Sequence, residues 1–128
     1  RVLFYVDSLD FLRRGGRIGA AQRLVGSALA VKPILHLAKG RVQPLEKVRT
    51  AARAMTRLED LAVESAGDAP VGVAVLQLDA ERRAEDLAER LRTRLPEAEV
   101  LLGDVGAVIG SHVGPGMVAV VVSPVPVP

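Results

Sequence analysis

Two amphipathic stripes set among short apolar runs constrain this fold more than any other feature of the sequence. Ahead of Pro96, the residues Ala84, Leu87, Ala88, Leu91 and Leu95 recur at the i, i+3, i+4, i+7, i+11 spacing that lines one face of a helix. Between Glu46 and Glu64, Val48, Ala51, Ala52, Met55, Leu58 and Ala62 also fall on one face. A helix with one apolar stripe must bury it against a second layer. Arg1–Val6, Pro33–Ala38, Arg41–Leu45, Val71–Leu78, Glu99–Leu102 and Met117–Val122 read as the strands of that layer. Lys39-Gly40 joins two of them as an antiparallel hairpin, which breaks pure βαβ order. The expected fold is α/β and two-layered, a mixed, partly antiparallel sheet of about five to six strands with helices mainly on one face. Ser8 is expected to cap a short helix over Leu9–Arg14 that ends at Gly15-Gly16, and Asp79 to cap the later one. Another helix is expected over Ile18–Ala30, where Ala21, Leu24, Val25, Ala28 and Leu29 keep helical spacing.

With 128 residues, 49% apolar and 25% charged, the chain has the size and balance of one folded domain. Its three aromatic residues, Phe4, Tyr5 and Phe11, all lie in the first 11 positions, so the core must be aliphatic. That leaves no aromatic platform for single-stranded nucleic acid, no nucleic-acid motif is present, and no such partner is expected. Without cysteine there is no disulfide, thiolate nucleophile or thiolate metal site. No apolar run reaches membrane-spanning length, so at most transient membrane contact is expected. The chain starts with Arg1 inside a strand-like run, and it reads as a piece of a longer, cytoplasmic protein. Ser123–Pro128 reads as a Pro-rich tail outside the domain of residues 1–122.

Charge is unevenly spread. Residues 1–57 carry 12 Lys or Arg against three acids, and residues 58–128 carry five Arg against 12 acids. The basic half suits an anionic group or an acidic surface, although charges that merely solvate helix exteriors would look the same.

Chemistry concentrates in two glycine-rich stretches. Five of the 12 glycines fall within residues 103–116, and Gly110-Ser111-His112-Val113-Gly114-Pro115-Gly116 sets one of the two histidines among them, at the end of a strand. Gly15-Gly16-Arg17-Ile18-Gly19 places a permanent cation beside a helix start. Gly114-Pro115-Gly116-Met117-Val118-Ala119 formally fits a dinucleotide fingerprint. A Val-rich strand rather than a helix follows it, so that reading fails. Ser111 and His112 are neighbours whose side chains diverge in an extended chain, which makes them a poor nucleophile–base pair. His36, in Ile34-Leu35-His36-Leu37, reads as a structural residue. No catalytic residue, metal ligand set or cofactor is expected. An anion-holding arrangement remains.

Ser8-Leu9-Asp10-Phe11-Leu12-Arg13-Arg14-Gly15-Gly16-Arg17-Ile18-Gly19, continuing to Val31-Lys32-Pro33-Ile34-Leu35, together with the histidine septet and its following strand, resembles the C-terminal domain of the DegV family. The resemblance covers residues 1–122. It implies a non-enzymatic carrier in which a long-chain fatty acid lies between an N-terminal lobe and this one. The carboxylate would be presented to a fatty-acid kinase, and the hydroxyl-bearing head-group residues would sit in the N-terminal lobe. Carried over by position, Arg17 and His112 are the carboxylate residues of this lobe, with Gly16, Ser111, Gly114 and Gly116 as further loop and backbone candidates. Arg49, expected early in the helix after the hairpin, corresponds to a kinase contact. Two other classes compete: a small-molecule kinase-like or other enzyme built on the glycine-rich anion site, and a structural or regulatory domain that binds nothing.

Overall fold

The computed structural model describes residues 1–24 and 32–125. The elements run β1 (Val2–Tyr5), α1 (Asp10–Arg14), a 3-10 helix (Gly19–Leu24), β2 (Lys32–Ala38), β3 (Arg41–Val48), α2 (Ala51–Ala66), β4 (Val71–Gln77), α3 (Glu81–Arg94), β5 (Glu99–Asp104), α4 (Ala107–Val113) and β6 (Val118–Pro124). The strands form one mixed sheet in the order β3-β2-β1-β6-β4-β5. Only β4 and β5 pair in parallel, across the α3 crossover; the other pairings are antiparallel. The α/β class and the mixed sheet match the expectation.

Side-chain alternation divides the interior in two. Leu3, Tyr5, Val73, Val75, Val118 and Val120 point to one face and bury the stripes of α2 and α3, including Leu58, Ala62, Leu87 and Leu91. Phe4, Leu35 and Ala119 point to the other face, where they pack with Leu12 of α1, Ala21 of the 3-10 helix, Val113 of α4 and Met117. The long helices thus share one face, and the short ones gather on the second.

Several boundaries differ from the sequence reading. Glu46–Val48 continue β3, so α2 starts at Ala51, capped by the Thr50 hydroxyl accepting from Arg53 N at 3.1 Å. Ser8 lies two residues ahead of the helical start at Asp10, whose N–H donates to its Oγ at 3.1 Å, and Leu9 takes the cap position. Asp79, at φ +50°, does not cap α3. Ala80 takes the cap position without a side-chain acceptor, and the buried Gln77 fixes it, accepting from Ala80 N at 2.7 Å while donating to Asp104 Oδ1 at 2.6 Å. Ser123 and Pro124, read as tail, close β6 opposite Gly72 and Val71. The helix expected over Ile18–Ala30 opens as the 3-10 turn, and its continuation through Val25, Ala28 and Leu29 lies outside the described residues, as do residues 126–128.

His36 occupies the structural position expected of it, opposite Leu3 on β1 and Gln43 on β3. Burial, and after it the charge of Arg1, holds its imidazole below the ordinary value. Protons therefore bind more readily to the unfolded chain. The stability contributed by the neutral ring is complete above the ordinary imidazole range and is lost as the pH falls through it. The urea midpoint should drop between about pH 7 and about pH 5, and His36→Gln should flatten that part of the curve.

Candidate functional site

The two glycine-rich stretches meet because the first and last strands are neighbours. In the antiparallel β1–β6 pair Tyr5 lies opposite Val118, so the segment leaving β1 and the segment entering β6 emerge at one end of the sheet. Gln77, the last residue of β4, also lies opposite Val118 and pairs with Asp104 on β5, which brings two further strand ends to the same place. Gly116 N donates to Leu78 O at 2.7 Å and Leu78 N donates to Met117 O at 3.1 Å, fixing the entry to β6 against the exit from β4.

Beneath these segments, on the second sheet face, is an open cavity of about 500 Å³. Its floor is apolar and comes from alternate positions of the central strands, Val2 and Phe4 with Ala119 and Val121. Leu37 of β2 and Ile109 of α4, both more than 40% exposed, stand at its sides. Arg17, Arg41 and His112 also line it. Arg17 forms no ion pair among the described residues, and its backbone N–H is held by Leu12 O at 2.8 Å.

The segment expected to lie extended at a strand end is instead helical through Ser111 and His112. Ala107 and Val108 extend the turn upstream, and Gly114, at φ +81°, ends it. The local pattern Ala-Val-Ile-Gly-Ser-His-Val is too short to show helical periodicity, which is why no helix is legible in sequence between the two strands. His112 packs Nδ1 where a side chain on Gly15 would stand. That nitrogen is buried and has no hydrogen-bond partner among the described residues. A proton there would be an orphaned donor, so of the two tautomers the one that carries its proton on Nε2 fits the site. Gly114 similarly makes room for the Phe11 ring, and Gly116 for the Asp7 carboxylate.

The expected residues therefore sort by position. Arg17, Gly16 and His112 share the cavity wall. Ser111 is exposed and its hydroxyl donates to Val108 O at 2.7 Å. Gly114 and Gly116 lie outside the lining, and the N–H groups of Gly16, Gly114 and Gly116 are already bonded to Arg13 O, Gly110 O and Leu78 O. The glycine identity of Gly114 and Gly116 is explained by close packing against Phe11 and Asp7. Arg49 is on an exposed bend ahead of the Thr50 cap rather than inside α2, because β3 runs three residues further than expected. Arg41 was not singled out in the sequence; only its position after the Lys39-Gly40 turn, with both residues at positive φ, could have placed it beside the cavity.

Chemically, the cavity offers an apolar floor with a guanidinium and an imidazole at its wall. Among the described residues no group of three or more His, Asp or Glu side chains is disposed to hold a metal ion, and no helix is long and apolar enough to cross a membrane. Fold and site together define an α/β domain whose apolar trough carries cationic and hydrogen-bonding groups. The profile of the family described as "Uncharacterised protein, DegV family" matches residues 1–125, and the chain belongs to the DegV family.

A DegV domain-containing protein of Streptomyces coelicolor is 63% identical over 121 residues, covering 94% of this chain and 43% of that protein. The crystal structure of a fatty acid binding DegV family protein from Streptococcus agalactiae superposes with a TM-score of 0.90 at 30% identity, covering 98% of this chain and 44% of that one. DegV of Bacillus subtilis, a fatty acid binding protein, superposes with a TM-score of 0.83 at 38% identity, covering 97% of this chain and 44% of that one. The chain thus spans less than half the length of these relatives.

Proposed function

We propose that this chain is the C-terminal lobe of a fatty-acid carrier, with the acyl chain lying along the second face of the sheet and its carboxylate held by Arg17 and His112. The observation that carries the reading is an apolar trough whose wall includes both a guanidinium that forms no ion pair among the described residues and the imidazole of His112. Related DegV proteins described as fatty-acid binders support it. Burial contributes about 0.8 kcal/mol per methylene, so a long chain offers on the order of 10 kcal/mol before ordering and association costs. The guanidinium then selects an anionic end over a neutral one. The trough is open, and an N-terminal lobe would close it.

In this reading the chain performs no chemistry of its own in the cytoplasm; it delivers the carboxylate to a fatty-acid kinase. Arg49, exposed beside Lys47 and Arg53, is the proposed kinase contact. The direct test is denaturing mass spectrometry of the complete protein purified from lipid-replete cells, which should release one fatty acid per molecule. Finding none, together with no uptake of added oleate, refutes the carrier reading. Turnover of a phosphorylated or hydroxylated compound without a partner would favour the enzyme alternative.

A further inference from the structure

We infer that Asp7 and Arg83, neither of which lines the cavity, are positioning residues that hold His112 and its loop in the carboxylate-binding arrangement. The inference rests on the fatty-acid reading above. Asp7 follows the end of β1, and its carboxylate serves groups from three parts of the chain. Tyr5 donates its hydroxyl proton to Asp7 Oδ1. Arg83, in the first turn of α3, donates from Nη1 to the same oxygen at 3.3 Å. Gly116 completes the set, because any side chain there would occupy the space of Asp7 Oδ2.

Arg83 closes the loop of contacts. The same Nη1 reaches Gly116 O at 3.4 Å, and the guanidinium lies 5.7 Å from the Tyr5 ring centre. Burial, and then the hydrogen bond to Asp7, keeps the Tyr5 proton bound far above the usual phenol range, so Tyr5 is a constant donor. The helical layer on one sheet face is thereby fastened to the backbone that leaves α4 on the other.

The chain of contact continues to the site. From Gly116 the backbone runs back through Pro115 to Gly114, which is packed on Phe11 of α1. Two residues earlier, His112 presses Nδ1 against Gly15, and Gly15 is two residues from Arg17. Asp7 and Arg83 hold one end of this path, and the two head-group residues lie at the other. Both clasp residues are partly solvent-exposed, with side chains 40% and 38% accessible, so the pair adds little as a surface ion pair alone. Its value lies in the loop it orients, as supporting residues orient the groups that touch ligand.

The test compares oleate with oleyl alcohol, which share a chain length and differ in the end group, using the complete protein at fixed salt. Asp7→Ala and Arg83→Ala should each raise the Kd for oleate about tenfold while leaving that for oleyl alcohol within about twofold. The double variant should lose no more than either single one, since both remove the same clasp. Asp7→Asn carries the same comparison with less risk to folding. The nitrogen resonances of His112 supply a second readout: wild type should show a bare Nδ1 and a protonated Nε2, and the variants an averaged ring. Unchanged oleate affinity in both single variants, or equal loss for oleate and oleyl alcohol, overturns the inference. A wild-type protein that holds oleate no better than oleyl alcohol overturns the carboxylate reading, and this inference with it.

Discussion

Replacing Arg17 with alanine is expected to weaken oleate binding by on the order of 10- to 100-fold, the range for losing a charge-assisted hydrogen bond in a partly desolvated site. The fold should barely respond. Arg17 is exposed, makes no ion pair among the described residues, and anchors itself to Leu12 through its backbone, which alanine keeps. His112→Ala should produce a loss of similar size for oleate. It removes a donor and also the ring that fills the space beside Gly15. Oleyl alcohol should be held by both variants nearly as well as by wild type, because the apolar floor of Val2, Phe4, Ala119 and Val121 is untouched. Titration of each variant with both ligands is the measurement. Lys39→Ala, in the hairpin turn, is the control. If it matched Arg17→Ala in its loss of oleate, general basicity rather than a placed cation would be responsible.

Gly114→Ala should destabilise the protein by about 3 kcal/mol, from two terms that add. The residue sits at φ +81° and ψ 168°, a region essentially reserved for glycine, where an L side chain costs about 1–3 kcal/mol. A Cβ there would also fall well inside contact distance of three atoms of the Phe11 ring, and overpacking of that kind costs about 1–3 kcal/mol. Gly16 separates the terms: it is at φ +70° with no atom within 4 Å of an added Cβ, so Gly16→Ala should cost only about 1 kcal/mol. Adding Phe11→Leu to Gly114→Ala should recover part of the steric term and none of the backbone term. Urea unfolding of the four proteins decides the matter. Equal costs for Gly114→Ala and Gly16→Ala would mean that the aromatic ring yields freely.

The fold was largely legible because its signals are local. The α3 stripe of Ala84, Leu87, Ala88 and Leu91 is buried as its spacing requires, and the Lys39-Gly40 turn joins β2 to β3 as read. Errors fell where local signals are weak. Leu45-Glu46-Lys47-Val48 satisfies both strand alternation and the edge of a helical stripe, and pairing of Lys32 with Val48 resolves it as strand. Asp79 has the chemistry of a cap, but a buried Gln77 two residues earlier already holds the Ala80 N–H.

By itself the sequence determined the α/β class, the aliphatic interior and the two segments in which chemistry is concentrated, since these depend on residue type and short-range period. Its resemblance to the DegV family also pointed to Arg17 and His112 without locating either in space. Tertiary structure alone decided that the two lie on one cavity wall, because that follows from the β1–β6 register joining the ends of the chain. It also decided what the glycines are for. Gly15, Gly114 and Gly116 look alike in sequence, but each is required by a different neighbour, His112, Phe11 or Asp7, brought there by distant backbone. Steric exclusion between residues some 100 positions apart leaves no local trace.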